Sequence, residues 1–238
     1  MFQSFEVTAR PEQGPPRLAA LRKQIAAAGL DGFVVPRADA HQGEYVAARD
    51  ARLAWLSGFT GSAGFCVALR DSAGVFIYGR YRTQVKAQVA SDFTPVPWPE
   101  TSMAQWLREQ LPSGGRIGID PWLHTVNQIA QTQKALNGSE IELVQCPNLV
   151  DAIWEDQPDT PMGAAKIHPL EFAGESHADK RLRLAKTLRD AHESAAVITL
   201  PDSICWLLNI RGADVERNPV VHGFAILHAD GTVDLFSE

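Results

Sequence analysis

The spacing of apolar residues predicts alternating helices and strands over most of the first 145 residues. Leu18, Leu21 and Ile25 recur at helical spacing, and Gly29 follows where a C-terminal cap is expected. The polar stretch 1–16 before this helix is rich in proline and glycine and predicts a loose arm. Alternation of this kind is typical of an α/β domain. The remaining predicted elements are strands over 30–35, 116–120 and 141–144, a hairpin over 65–78, and helices over 80–90, 103–111 and 126–136.

A proline-containing segment from Glu155 to Pro169 interrupts this pattern and predicts a linker. The order helix, strand, tryptophan segment and hairpin then returns. The repeat matches 30–36 with 194–201, 55–59 with 206–210, 64–69 with 223–228, and 71–75 with 229–233. We therefore predict two tandem domains of one α/β fold, 1–160 and 161–238. The second copy stops at the equivalent of the second hairpin strand, so we expect it to be incomplete.

Composition and charge argue against several classes of protein. The chain has 238 residues, 45% hydrophobic and 21% charged, with a formal net charge of −6. A negative chain is a poor candidate for nucleic-acid binding. No apolar run approaches the roughly 20 residues that span a bilayer, and the N-terminus does not resemble a signal peptide. Three widely spaced cysteines, Cys66, Cys146 and Cys205, favour a reducing compartment. We expect a soluble cytoplasmic protein without nucleic-acid or membrane partners.

The histidines and the glycine-rich loop could mark a catalytic site, but both are better explained as structural features. The seven histidines include no pair at i,i+4 and no HExxH, so we expect no metal site in this chain. The glycine-rich loop from Gly58 to Gly64 precedes a strand, whereas a phosphate loop precedes a helix. We predict that its glycines serve a tight connection. Thr60 stands where a nucleophile elbow would need glycine.

Two polar loops remain open to functional or structural interpretation. Asp39 and Glu44 flank His41, either as part of a binding loop or as local turn-forming residues. The segment from Tyr78 to Arg82 combines two aromatic residues with two arginines. Its guanidinium groups suit carboxylate or peptide binding. The alternative is that this segment is the solvent-exposed start of a helix, where the aliphatic parts of the arginine side chains pack on the sheet.

Six segments, in chain order, carry a family resemblance: ADAHQGEY (38–45), SGFTGSAG (57–64), GRY (79–81), NLVDAIW (148–154), HPLEFAGES (168–176) with Asp179-Lys180, and LPDSICWLLNIRG (200–212). They resemble the N-terminal part of three-domain Xaa-Pro aminopeptidases (aminopeptidase P). The resemblance covers nearly all of the chain. Gly43 departs from the serine common in relatives, and Tyr78 departs from many of them.

This resemblance implies a creatinase-like N-terminal fold for both domains, each a mixed sheet flanked by helices. It also implies a third domain, of pita-bread fold, that binds two divalent metal ions, commonly manganese. That domain uses two Asp, one His and two Glu, and it hydrolyses the bond before a proline in second position. No ligand of that set maps onto this chain, so we expect no catalytic residue, metal ligand or cofactor here. The expected partners are a peptide substrate, through the longer enzyme, and a second subunit in a homodimer.

By the same resemblance, His41, Tyr45, Arg80 and Tyr81 are expected to border the substrate of the whole enzyme. Pro36 and Tyr78 each end a predicted strand, so loops leaving neighbouring strands can converge at one edge of the first domain. Two alternatives remain: a free-standing α/β small-molecule-binding protein, and a fragment of a prolidase or creatinase relative. The tandem repeat disfavours the second, since those relatives usually have one N-terminal domain.

Overall fold

The computed structural model describes residues 9–237, which form two compact units. The first unit contains residues 9–37 and 50–157, and the second contains residues 38–49 and 158–237. The segment 38–49 thus belongs to the second unit, although the sequence pattern assigned all of 1–160 to the first domain. Its contacts with residues far along the chain account for this difference.

The first unit is a six-stranded mixed sheet flanked by helices, as predicted. The strand order is β4-β3-β2-β1-β5-β6. Pairs β1/β2 and β2/β3 are antiparallel, whereas β3/β4, β1/β5 and β5/β6 are parallel. The helices are α1 (Gly14–Ala27), α2 (Arg52–Ser57), α3 (Arg82–Gln88), α4 (Met103–Gln110) and α5 (Val126–Leu136). The strands are β1 (Gly32–Pro36), β2 (Phe65–Leu69), β3 (Ala73–Ile77), β4 (Thr94–Pro97), β5 (Gly115–Ile119) and β6 (Ile141–Gln145).

Alternating residues of β2 divide the hydrophobic core of this unit into two layers. Cys66 and Ala68 belong to the cluster that includes α1, α2 and the segment around Trp154. Val67 and Leu69 belong to the cluster that includes α4 and the end of α5. Because successive side chains of a strand point to opposite faces, helices cover both faces of the sheet.

Two details of this unit differ from the sequence prediction. Helix α1 begins at Gly14, inside the predicted loose arm, because proline is tolerated in the first turn of a helix. Residues 1–8 of that arm lie outside the described part of the chain. Strand β4 was not predicted, because Pro95 and Pro97 indicated a break in secondary structure. It lies at the edge of the sheet, where one side needs no ladder hydrogen bonds and proline is accepted.

The second unit contains a three-stranded antiparallel sheet of order β11-β10-β8 and a small two-stranded sheet, β7-β9. None of the helices in residues 9–237 is long and apolar enough to span a membrane. The helices of the second unit are α6 (Leu170–Ala173), α7 (His177–Asp190) and α8 (Pro201–Leu208). Its strands are β7 (Lys166–Ile167), β8 (Ala195–Ile198), β9 (Ile210–Arg211), β10 (Phe224–His228) and β11 (Val233–Phe236).

Strand pairing confirms the predicted internal repeat. Phe65 pairs with Phe76 in the first hairpin, and Phe224 pairs with Phe236 in the second. The preceding strands join in matching register, Val35 opposite Cys66 and Ile198 opposite Ala225. Helices α2 and α8 end alike, in a left-handed residue, at Gly58 (φ 85°) and Asn209 (φ 51°). The arrangement of β1, β2 and β3 in the first unit therefore recurs as β8, β10 and β11 in the second.

Candidate functional site

The four residues expected to border a substrate are divided between the two units. His41 and Tyr45 belong to the segment 38–49 of the second unit. Arg80 and Tyr81 follow β3 in the first unit, within a single 3₁₀ turn, Gly79–Tyr81.

Asp39 organises the loop that carries His41. Its side chain is buried, and Oδ1 accepts hydrogen bonds from the backbone N–H groups of His41 and Gly43, each at 3.0 Å. Such bonds from an aspartate to nearby backbone define a tight turn. The other oxygen, Oδ2, has no hydrogen-bond partner among the described residues, and Nε2 of His222 lies 3.9 Å away. The loop is thus built around a buried carboxylate.

The ring of His41 contacts residues from the far end of the chain. Nδ1 lies 3.2 Å from the carbonyl oxygen of Thr199. The ring centroid lies 4.7 Å from that of His222 and 4.6 Å from that of Phe224. A carbonyl oxygen only accepts hydrogen bonds, so Nδ1 carries the proton in this contact. Residues of the second unit therefore hold the His41 ring in this orientation.

Tyr45 lies on the same loop, and its side chain is mostly exposed. It presents a phenol to the surface of the second unit, four residues beyond His41. An exposed tyrosine combines a large apolar ring with a polar tip, a combination common in recognition surfaces.

Arg80 and Tyr81 form a cluster with Ser62 of the glycine-rich loop. The Tyr81 hydroxyl lies 2.5 Å from Ser62 Oγ and accepts a hydrogen bond from the Ser62 N–H at 3.1 Å. Arg80 Nη2 donates to Ser62 Oγ at 3.3 Å, and its guanidinium lies 4.9 Å from the centre of the Tyr81 ring. The exposed guanidinium is thus held against an aromatic face, where its remaining N–H groups can bind a carboxylate.

The charge of Arg80 also affects Tyr81. Burial alone would raise the pKa of the Tyr81 phenol, but hydrogen bonds from Ser62 and the adjacent Arg80 guanidinium outweigh it. The pKa of Tyr81 consequently lies below its ordinary value.

The glycine-rich loop adopts the tight connection predicted for it. Gly58 and Gly64 have φ values of 85° and 149°, which favour glycine, and the loop leads directly into β2. Gln88 anchors the loop by accepting from Thr60 N–H at 3.0 Å and donating to Thr60 Oγ1 at 2.7 Å. Ser62 is thereby held next to Tyr81.

Sequence reasoning missed several residues of these two clusters. His222 was one of seven scattered histidines, Phe224 was a strand residue, and Thr199 contributes only its backbone carbonyl. No local pattern links them to His41, from which Thr199 is separated by 158 positions. Ser62 could have been found from its place in the glycine-rich loop.

No arrangement of potential ligands in residues 9–237 fits a metal centre. No group of three or more His, Cys, Asp or Glu in this part of the chain is placed to hold an ion. The clusters around His41 and Arg80 offer hydrogen bonding and positive charge, which are means of binding a substrate.

Two family profiles match the chain, and both describe a creatinase/prolidase N-terminal domain. They cover residues 17–153 and 156–238, and the first alone covers more than half of the chain. The chain belongs to the creatinase/prolidase N-terminal domain family. Both creatinase-type matches agree with the repeated strand order and with the mixed sheet flanked by helices.

Longer proteins align with this creatinase/prolidase N-terminal chain. Aminopeptidase P2 of Arabidopsis thaliana is 37% identical over 223 residues, 90% of this chain and 31% of the relative. A probable Xaa-Pro aminopeptidase P of Coccidioides posadasii is 36% identical over 242 residues, 98% of this chain and 36% of the relative. The chain therefore corresponds to the N-terminal region of such enzymes and spans about a third of their length.

A solved structure agrees with these creatinase/prolidase assignments. The X-prolyl aminopeptidase of Caenorhabditis elegans, described as a cytosolic enzyme with a di-nuclear active site, superposes with a TM-score of 0.87. Sequence identity is 31%, and the match covers 94% of this chain and 39% of that chain.

Proposed function

We propose that this chain is the non-catalytic N-terminal region of an Xaa-Pro aminopeptidase. The complete enzyme would remove the N-terminal residue from peptides that carry proline in second position. The observation that supports this most strongly is the match to the Caenorhabditis elegans X-prolyl aminopeptidase, with a TM-score of 0.87 over 94% of the chain. Hydrolysis would belong to the rest of the polypeptide.

The proposal includes two divalent metal ions, manganese in our expectation, in that remaining part of the enzyme. It also includes a cytoplasmic location and assembly as a homodimer. The related enzyme with a di-nuclear active site supports the metal ions and the location. Within the described part of this chain, the contribution to catalysis would be to bind and orient the peptide.

His41, Tyr45, Arg80 and Tyr81 are the residues we propose to border the peptide. The Arg80 guanidinium offers paired N–H groups that match a carboxylate. The imidazole of His41 and the two phenols offer hydrogen bonds to the backbone and the ends of a short peptide. The side chains of His41, Arg80 and Tyr81 are held by neighbours in their own unit, so they would lose little freedom on binding.

The test is the change of Arg80→Ala in the full-length enzyme, measured on Xaa-Pro peptides. A charge-assisted hydrogen bond to the substrate is worth about 1.5–3 kcal/mol, so kcat/KM should fall by about 10-fold or more. The metal content should not change. The matched control is Arg82→Ala, since Arg82 is exposed nearby and pairs with Glu100.

Two outcomes would contradict the proposal in different ways. An unchanged kcat/KM in Arg80→Ala would make the Gly79–Tyr81 turn purely structural. Rapid release of the N-terminal residue from an Xaa-Pro peptide by the purified 238-residue chain would show that it is catalytic by itself.

A further inference from the structure

We propose that the first unit carries a docking site for the C-terminal residue of a short peptide. The site is an aromatic shelf, formed by the half-buried residues Phe65, Tyr78 and Trp98, with Arg80 at its exposed end. The last side chain of the peptide would pack on the rings, and its terminal carboxylate would bind Arg80. This inference rests on the proposed function and adds to it the class of peptide that the first unit recognises.

The register of three neighbouring strands brings the rings of the aromatic shelf together. Phe65 begins β2 opposite Phe76 of β3, and Tyr78 lies two positions beyond Phe76 in extended backbone. Side chains two positions apart share one face of a sheet, so Phe65 and Tyr78 are diagonal neighbours. Strands β3 and β4 are parallel, and the Trp98 N–H donates to the Ile77 carbonyl oxygen at 2.9 Å. Trp98 therefore follows β4 beside Tyr78, at the same end of the sheet.

The rings of the aromatic shelf contact one another and continue into the core. The centroids of Tyr78 and Trp98 lie 4.3 Å apart, and the rings of Phe65 and Trp98 meet edge to face at 5.6 Å. Phe65 also stacks on buried Phe76 at 4.3 Å, and Phe76 contacts Trp106. Aromatic pairs in such arrangements stabilise each other beyond the area that they bury. The shelf is therefore held in place before a peptide binds, while its outer rings still reach solvent.

Arg80 adds a positive charge beside these rings. Its guanidinium lies 5.9 Å from the centre of the Tyr78 ring and 4.9 Å from that of Tyr81, and Nη2 donates to the hydroxyl of Ser62. None of these neighbours is a carboxylate, and Arg80 takes part in no ion pair within residues 9–237. A guanidinium held in this way is preorganised to bind a carboxylate.

An apolar shelf next to a positive group matches the C-terminal end of a peptide. The last residue of a peptide carries its side chain and its carboxylate on the same Cα atom, so the two can reach the Tyr78 ring and the Arg80 guanidinium together. Aromatic surfaces pack well against apolar and proline side chains, and the fork of N–H groups on arginine fits a carboxylate at two points. The site therefore favours short peptides that have a free carboxyl end and an apolar last residue.

The binding experiment follows the tryptophan indole N–H signals of the 238-residue chain by ¹H–¹⁵N NMR. The probes are the peptide Ala-Pro-Ala-Phe, its C-terminal amide, and Ala-Pro-Ala-Ser. The Trp98 signal should shift with the first peptide, and the Kd should be about 10-fold higher for each of the other two. Trp106, buried in the same core layer, reports whether the fold is intact. Equal Kd values for the three peptides, or no shift of Trp98 with any of them, would overturn the proposal.

Variants separate the two parts of the site. Arg80→Gln should remove the preference for the free acid over the amide and keep the preference for phenylalanine over serine. Tyr78→Ser should weaken the preference for phenylalanine, whereas Tyr78→Phe, which keeps the ring, should retain it. The matched control is Arg82→Gln, since Arg82 is exposed nearby and already pairs with Glu100. An Arg80→Gln chain that still prefers the free acid would contradict the role of Arg80.

Activity of the full-length enzyme separates failure of the aromatic shelf from failure of the proposed function. Cleavage of Ala-Pro-Ala-Phe should have a KM about 10-fold lower than cleavage of its amide, with a similar kcat, because the contact is made equally before and during hydrolysis. Arg80→Gln should remove this difference. Cleavage with equal KM for acid and amide would contradict the shelf alone. If neither peptide is cleaved, the proposed function fails, while the NMR titration still decides the shelf.

Discussion

Arg52 and Asp151 form a bidentate ion pair. Arg52 Nε lies 2.6 Å from Asp151 Oδ1, and Arg52 Nη2 lies 2.9 Å from Asp151 Oδ2. Arg52 is the first residue of α2, and 99 positions separate the two residues. Arg52 also donates to Asp50 at 2.8 Å, and Gln157 donates to Asp151. This buried guanidinium therefore joins the start of α2 to the segment that closes the first unit.

We expect Arg52→Met to lower the free energy of unfolding by about 3 kcal/mol. Removing one member of a buried ion pair leaves the other charge without compensation, which typically costs about 3–5 kcal/mol. Asp151 keeps some contact with water, so the lower end applies. Urea unfolding followed by tryptophan fluorescence measures the change. Arg82→Met, which removes an exposed pair, should cost no more than about 1 kcal/mol. Equal losses would contradict the expectation.

Gly58 and Gly138 allow the cost of a backbone conformation to be separated from the cost of a clash. Both have positive φ, 85° and 80°. A Cβ on Gly58 would lie 2.3 Å from the Gln88 carbonyl oxygen, whereas a Cβ on Gly138 would meet nothing within 4 Å. Gly138→Ala should therefore cost about 1–2 kcal/mol, the price of the left-handed conformation alone. Gly58→Ala should cost clearly more, and equal thermal midpoints would contradict this.

His124 predicts a pH dependence of stability. Its Nε2 is buried without a hydrogen-bond partner among residues 9–237, and burial lowers the pKa of the ring below 6.5, with Asp120 opposing. Below pH 6.5 the unfolded chain therefore binds a proton more readily than the folded one. The contribution of neutral His124 to the free energy of unfolding is fully present above pH 6.5. It is lost as the pH falls toward the pKa of His124 in the folded protein. Urea unfolding between about pH 5 and 7.5 should give a flatter curve for His124→Asn. Parallel curves for both proteins would contradict the prediction.

Local patterns were sufficient for most of the fold. A helix was expected around 126–136, and α5 occupies this segment, beginning after a capping box at Thr125. The repeat could be recognised because a hairpin register depends on nearby residues, such as Phe65 and Phe76. Strand β4 was missed because proline is tolerated in a strand only at the edge of a sheet. Which strand lies at the edge depends on the order of the whole sheet, which local sequence does not show.

Less of the candidate site than of the fold could be predicted from the sequence. The motif around His41 identified a loop of interest, but its scaffold is supplied by Thr199, His222 and Phe224. These contacts depend on tertiary structure, which residue spacing does not encode. Whether His41, Tyr45, Arg80 and Tyr81 border one substrate stays a prediction for the full-length enzyme.

The separation of 158 residues between His41 and Thr199 has a consequence for synthesis on the ribosome. Chains emerge at about 5–20 residues per second, so the loop leaves the ribosome about 8–30 s before the carbonyl that binds its histidine. The first unit can meanwhile assemble around residues that flank the loop on both sides. A nascent chain stalled before residue 199 should therefore carry 38–49 as an accessible segment, open to proteases and chaperones until its scaffold arrives.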